Sequence, residues 1–236
     1  NLLALALQGL NKPVVLTGSQ LPFNAPDSDA PPNLAAAVAL LESDDTAQVS
    51  IVFNGKQYPA VGSSKVSTET AAGFDNPHFG ALAEWTAGQG WQRIAETLVI
   101  PAAEWRVRQP DSAAKVLCHT LIPGFSTAAL AESLDNTRAG AVILQSYGHG
   151  NAPSDAEFID AVRRYTARGG LLLNISQAAQ GCVAAVYAQG SALRAAGAVS
   201  GGKCNLETAT ALLTLALSEG WTAEQLAAEL QRLRLV

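Results

Sequence analysis

The stretch Pro13–Asn33, PVVLTGSQLPFNAPDSDAPPN, decides the fold class. An apolar run, Val14-Val15-Leu16, stops on a tight polar turn, Thr17-Gly18-Ser19-Gln20, and a loop rich in Pro and Asp leads to a helical pattern opening at Asn33. A strand that ends on small hydroxyls and a glycine, ahead of a loop longer than a connection requires, is how an α/β sheet builds the wall of a small-molecule pocket. Upstream, Leu2, Leu3, Leu5, Leu7 and Leu10 line one apolar face, and Asn11-Lys12-Pro13 stops the helix they imply. With no cap residue ahead of them, the first turns of that helix are expected before Asn1.

Working downstream, the pattern predicts a helix from Asn33 to Leu41 with Asn33 as its N-cap, then a strand at Val49–Phe53 that leaves through the turn signal Asn54-Gly55. Helix then strand, twice, is the rhythm of a mostly parallel sheet. Residues 58–80 break it: Ala60-Val61 suits a strand or hairpin arm, followed by a hydroxyl-rich stretch from Ser63 to Thr70. Residues 81–114 read as an irregular edge with short strands at Arg93-Ile94 and at Thr97–Ile100. Beyond a boundary near Gln109 to Ala114 the α/β pattern returns more cleanly. Strands are predicted at Val116–His119, Ala141–Tyr147 and Leu171–Ser176, and helices at Thr127–Leu134, from a capping box at Ser154 to about Ala167, at Leu206–Leu217 and at Thr222–Leu233. The expected architecture is an α/β domain on a mostly parallel open sheet, residues 1–112, followed by a smaller second α/β domain, residues 113–236.

Bulk composition limits the function classes. A chain of 236 residues can bury roughly 70 to 75% of its unfolded surface, and 48% hydrophobic with 15% charged residues excludes a disordered chain. The low charge and abundant Ala point to subunit contacts, or simply to a cold or crystal-friendly surface composition. A net charge of −5 without any Lys/Arg cluster gives no footprint for nucleic acid. Cys118, Cys182 and Cys204 form no CxxC and read as free thiols, while His78, His119 and His149 lack metal-ligand spacing. No apolar run is long enough to predict a membrane span. Gly18, Gly148 and Gly150 make neither GxGxxG nor a P-loop, so no nucleotide cofactor is predicted.

Among candidate site residues Lys65 ranks first. It follows a strand, lies among Ser and Thr, and belongs to no helical pattern that would ask for a solvated lysine; a lysine so placed can act as base or proton relay, or simply face solvent. Thr68, three residues on, could bond it or satisfy its own loop. Thr17 and Ser19 flank Gly18 where backbone N–H groups and hydroxyls can bind a carboxylate or an amide, with Gln20 oriented beside them; a turn held by its own side chains is the alternative. Asp27 and Asp29 are too close together, and too much in the open, to make a carboxylate pair. Asn151 ends a glycine-rich turn, where its amide could meet a carboxylate or merely suit the backbone. His149 has no acidic orienter nearby, and Glu207 is a first-turn acid favoured by the helix dipole.

The blocks PVVLTGSQLP (Pro13–Pro22), SKVST (Ser64–Thr68) followed by FDNP (Phe74–Pro77), and SYGHGNAP (Ser146–Pro153), in that order, resemble the L-asparaginase/glutaminase family of the bacterial type over essentially the whole chain. TGSQxP and SYGxGNAP are similar to the cytoplasmic type I branch, whereas the KxxT spacing at Lys65 is closer to type II. The resemblance implies an amidohydrolase acting through a threonine nucleophile, releasing L-aspartate and ammonia from L-asparagine without metal or organic cofactor. It assigns Lys65 to a threonine–aspartate–lysine proton-transfer cluster, Thr17, Gly18, Ser19 and Gln20 to the substrate wall, and Asn151 to the site of a neighbouring subunit. A cytoplasmic homodimer or dimer of dimers follows. The family's Thr-Gly-Gly-Thr and Gly-Thr-Asp-Thr strings do not occur in the sequence, which predicts a chain lacking the N-terminal part that carries the catalytic threonines. A small-molecule-binding regulatory domain of the same α/β kind, doing no chemistry, is the second reading.

Overall fold

The computed structural model describes residues 1–43, 48–95, 104–124, 127–184 and 188–236, the backbone alone at 188–191. The chain divides into two compact units, Asn1–Val107 and Arg108–Val236, each built on its own sheet.

The first unit opens with a short helix, α1 (Leu2–Ala6), and continues through β1 (Val14–Leu16), α2 (Ala30–Ser43), β2 (Val49–Phe53), β3 (Lys56–Pro59), β4 (Ser64–Lys65), β5 (Phe74–Asp75), β6 (Ala83–Thr86) and β7 (Gly90–Arg93). Strands β1 and β2 run parallel, with α2 as the crossover. After β2 the chain reverses at once. Asn54 (φ 50°) and Gly55 (φ 67°) form a two-residue turn in the left-handed region, and β3 therefore pairs antiparallel, Phe53 opposite Lys56. β6 and β7 add antiparallel beyond it, giving the order β1-β2-β3-β6-β7. The sheet is mixed, which corrects the expectation of a mostly parallel one. A parallel neighbour needs a crossover of about a dozen residues or more, and Asn54-Gly55 leaves no room for one. The strand expected at Thr97–Ile100 lies outside the described residues.

Helix α2 also starts earlier than its pattern suggests, at Ala30 instead of after Asn33. Pro31 and Pro32 have no N–H to donate, but the first turn of a helix has no acceptors for such donors, so both prolines fit there. Asn33 is consequently a buried residue within the helix and not its cap. Ala36, Ala37 and Leu40 of α2 pack on Val52, with Val15, Trp85 and Trp91 around them. The Trp91 Nε1–H donates to the Ala36 carbonyl at 3.0 Å.

The second unit runs β8 (Val116–Thr120), α3 (Thr127–Asn136), β9 (Ala141–Ser146), α4 (Ala156–Ala167), β10 (Leu171–Ser176), α5 (Ala188–Ala195), β11 (Val199–Ser200), α6 (Leu206–Glu219) and α7 (Ala223–Arg232). Every pairing in its sheet is parallel, in the order β11-β10-β9-β8. By strands it is the smaller sheet, four against five among the described residues, although its unit is the longer stretch of chain. Residues 141–144 and 171–175 are buried without alternation, the signature of a sheet covered on both faces. Helices α3 and α4 supply Leu130, Leu134, Phe158, Val162 and Tyr165 to the core, and α6 packs against β8, β9 and β10. Asp155 caps α4 by accepting from the Phe158 N–H at 2.9 Å, one residue later than the expected Ser154. The capping box of Thr222 and Gln225 opens α7 as the sequence predicts.

Arg108, the first residue of this unit, is fastened to α6 and α7. Its guanidinium donates to Glu229 at 2.7 Å, lies over the Trp221 ring and sits 3.6 Å from Glu219, while Arg232 holds the same Glu229 carboxylate from the other side. No helix among the described residues is long and apolar enough to cross a membrane.

Candidate functional site

The exit of β1 carries the polar turn, and each of its residues is fixed by a different part of the first unit. The Thr17 hydroxyl donates to the Val52 carbonyl of β2 at 2.8 Å, tying the strand ends together. The Gly18 carbonyl accepts from Asn33 Nδ2 at 2.9 Å, and Asn33 Oδ1 in turn accepts from the Asn54 N–H at 2.9 Å. One buried amide of α2 thereby holds both the β1 exit and the β2–β3 turn. The Ser19 hydroxyl donates to the Leu21 carbonyl at 2.7 Å.

Gln20 is the hub. Its backbone N–H donates to both carboxylate oxygens of Asp29 at 2.9 Å, and the Leu21 N–H reaches Asp29 Oδ1 at 3.0 Å. The side-chain amide donates to the carbonyls of Ser67 (2.9 Å) and Thr70 (2.6 Å). Its remaining oxygen accepts from Lys65 Nζ at 2.7 Å. With both amide protons committed, Gln20 Oε1 must face the lysine, so the orientation of the amide is set by its partners.

Lys65 sits at the end of β4, which pairs with β5 so that Lys65 lies opposite Phe74. Its side chain is exposed, with the ammonium 5.2 Å from the Phe53 ring centre and 5.0 Å from that of Phe74. The amine is thus bracketed by two aromatic rings and an amide oxygen. Gly73 makes this packing possible: a Cβ there would lie 2.8 Å from both Gln20 Nε2 and Lys65 Nζ, and 3.2 Å from the Phe53 ring. Thr68 makes no hydrogen bond to Lys65; Ser67 stabilises the loop instead, its hydroxyl oxygen accepting from the N–H groups of Glu69 and Thr70 at 3.1 Å.

Asp29 has a role that its position in an open loop conceals. Partial burial pushes its carboxyl upward, but the N–H groups of Leu21 and Gln20, its own N–H and the Asn33 amide outweigh this and hold it below the usual carboxylate range. It is the anchor of the turn and not half of a carboxylate pair. The roles of Gly73 and Asn33 are not stated by their local sequence either. Asn33 does carry a signal, since an amide directly after two prolines is too deep in a helix to cap it; Gly73 carries none.

Asn151 belongs to the second unit, in a tight turn where the Tyr147 N–H donates to the Asn151 carbonyl at 2.9 Å and the Asn151 N–H to the Tyr147 carbonyl at 2.8 Å. In the same turn His149 Nδ1 lies 3.2 Å from the Cys182 carbonyl. A cleft of about 680 Å³ in this unit is lined by His149, Gly150, Asn174, Ser200 and Glu224 among others. The convergent polar groups at the β1 exit, not that cleft, make the stronger candidate, because there a cation meets an oriented amide at hydrogen-bond distance. No group of three or more His, Cys, Asp and Glu is placed to hold a metal among the described residues.

Residues 1–96 match the family model described as asparaginase, N-terminal, and residues 115–229 that of the glutaminase/asparaginase C-terminal domain. The N-terminal domain is therefore present, which corrects the expectation of a chain lacking its N-terminal part. That expectation rests on two four-residue strings, whereas the domain model matches the chain over residues 1–96. The chain is 30% identical over 219 residues to L-asparaginase 1 of Escherichia coli (strain K12), covering 92% of this chain and 64% of that protein. It is 28% identical over 229 residues to the human 60 kDa lysophospholipase, covering 93% of this chain and 38% of that protein. The crystal structure of L-asparaginase I from Vibrio cholerae superposes with a TM-score of 0.83 at 28% identity, covering 98% of this chain and 69% of that one. The chain thus spans between about two fifths and two thirds of the length of these curated relatives. With both domain models matched in order, one on each sheet, the chain belongs to the asparaginase family.

Proposed function

We propose that the protein hydrolyses the side-chain amide of L-asparagine to L-aspartate and ammonia, with the reacting amide held against the β1 exit. The observation that carries this reading is the 2.7 Å bond from Lys65 to an oriented Gln20 amide, in a member of this family. Amide hydrolysis through a threonine forms a bond from the hydroxyl oxygen to the amide carbon, expels ammonia with the proton passed to its nitrogen, and ends when water cleaves the ester. The family's two threonine strings are not among these 236 residues, so the groups of this chain that serve the reaction are those at the β1 exit and Asn151. Lys65 is the proton carrier, and Gln20 fixes its ammonium without competing for the charge. Thr17 and Ser19 spend their hydroxyl protons inward on the carbonyls of Val52 and Leu21. Their free lone pairs are left as acceptors, suited to the N–H groups of a substrate amide or α-ammonium. Gly18 keeps this wall low enough for a ligand to approach.

In the same proposal Asn151 fixes the α-amino or carboxylate end of the substrate from a neighbouring subunit, so activity requires a homodimer or dimer of dimers. Residues 1–112 act as the catalytic domain and residues 113–236 as the C-terminal α/β domain. A cytoplasmic setting agrees with the three free cysteines. The test is ammonia release from L-asparagine by the purified protein and its Lys65→Met variant. Release that Lys65→Met abolishes supports the reading, and release that it leaves unchanged overturns the role of Lys65. Tight binding of L-asparagine with no turnover would favour the regulatory alternative.

A further inference from the structure

We infer that Asn174 is a positioning residue for substrate binding: it shapes the turn that presents Asn151, and with it the affinity for the α-carbon end of the amino-acid substrate. This rests on the proposed role of Asn151. Asn174 lies on β10, is only 5% exposed, and reaches across to the end of β9. Its Nδ2 donates to the Gly150 carbonyl at 2.9 Å, the peptide oxygen directly before Asn151. Its Oδ1 accepts from the buried Ser146 hydroxyl at 2.6 Å, which fixes the amide so that a donor, and not an acceptor, points at the turn.

The remaining carbonyls of the turn are held as well. The Ser176 hydroxyl donates to the Gly148 carbonyl at 2.6 Å, and the Ala184 N–H to the His149 carbonyl at 3.1 Å. Gly150, at φ 99°, has no room for a side chain: a Cβ would stand 2.5 Å from Val183 and 3.1 Å from Asn174 Nδ2. The backbone of the turn is thus saturated with partners from β10 and the segment after it, while the Asn151 side-chain amide has none among the described residues. A turn clamped at three successive carbonyls, with one uncommitted amide at its end, is built to hold that amide still. The two groups that do most of this, Asn174 and Ser176, stand two residues apart on one strand.

The test is steady-state kinetics on L-asparagine with the complete protein. Asn174→Asp keeps the acceptor for Ser146 and loses the donor to Gly150. It is expected to raise KM by about 10-fold at pH 8 with kcat within about 2-fold, the signature of lost uniform binding. A protonated aspartic acid is again a donor, so the ratio of variant to wild-type KM should shrink as the pH is lowered. Combined with Asn151→Ala, Asn174→Asp should add nothing further to KM. If Asn174→Asp proves unfoldable, Ser176→Ala, at a position that is not buried, decides the matter with a smaller rise in KM abolished in the Asn151→Ala background. A rise in KM on Asn151→Ala with none on Asn174→Asp or Ser176→Ala overturns the inference alone. No change on Asn151→Ala overturns the role of Asn151 on which it stands. Independent, additive effects on KM would also overturn it, reducing Asn174 to a structural residue.

Discussion

The sheet of the first unit and the sheet of the second use buried asparagine amides in the same way and surround them differently. In the second unit Asn174 holds a turn from within a sheet that is apolar and covered on both faces, and it does so beside a large core containing Phe158 and Tyr165. In the first unit Asn33 holds the β1 exit and the β2–β3 turn beside a cluster of Ala36, Ala37, Leu40 and Val52. The first unit adds a chain of polar contacts at its turn, from Asp29 through Gln20 to Lys65. Under the proposed function, the difference separates an amide that steadies a turn from one that serves the chemistry. An exposed lysine fixed by an amide is valuable to a reaction, whereas a core of closely packed Leu, Val and Phe is valuable to a fold.

The sharpest way to break this contrast is Lys65→Met. It is expected to lower L-asparagine turnover by about 10²–10⁴-fold, the range of a lost proton carrier, and to leave the melting temperature within about 2 °C because the side chain is exposed. A large fall in melting temperature would make the cluster a structural device and erase the contrast. The reverse result is expected of Glu229→Ala in the second unit. Removing a carboxylate shared by Arg108 and Arg232 takes from the buried Arg108 guanidinium its 2.7 Å partner and costs on the order of 3 kcal/mol in urea denaturation. KM for L-asparagine should be unaffected in the protein that remains folded.

Gly73→Ala sharpens the comparison within the first unit. The added methyl meets the ends of two flexible side chains, so Gln20 and Lys65 shift apart and kcat/KM falls by about 10-fold while the urea midpoint hardly moves. The smallest effect concerns acid. The folded Asp29 carboxyl titrates below its ordinary value of 3.8, so its contribution to stability is fully present above that value and is lost as the pH falls through the lowered one. Wild type and Asp29→Asn, compared by denaturation between pH 2 and pH 5, should therefore differ in slope, with only the wild type losing this contribution.

Much of this contrast is readable from the sequence, though not evenly. In the second unit β9 and β10 are legible because they open as unbroken apolar runs, and local pattern and tertiary burial agree there, whereas α5 and β11 are not predicted from the sequence. The first unit is legible at β1 and β2 and misleading beyond them. Asn54-Gly55 announces a turn, but the helix–strand rhythm before it suggests a parallel sheet and masks the antiparallel majority that the turn dictates. Pro31 and Pro32 hide the start of α2, and with it the buried role of Asn33. The candidates Lys65 and Gln20 stand out because a lysine among hydroxyls and an amide after a strand are locally unusual. Asp29 and Gly73 do not, since what distinguishes them is a partner 8 residues away in one case and the absence of a side chain in the other. Contacts of that kind exist only once the chain has folded.

The claim that the β1 exit is the substrate wall is tested most directly by titrating the ¹⁵N-labelled protein with L-aspartate, the product of the proposed reaction, and following the backbone amide signals. Saturable shifts are predicted, concentrated at Gly18, Ser19 and Gln20, at Lys65 and Gly73, and at Asn151. Shifts confined to the cleft around Ser200 and Glu224, with the β1 exit unmoved at saturation, would contradict it.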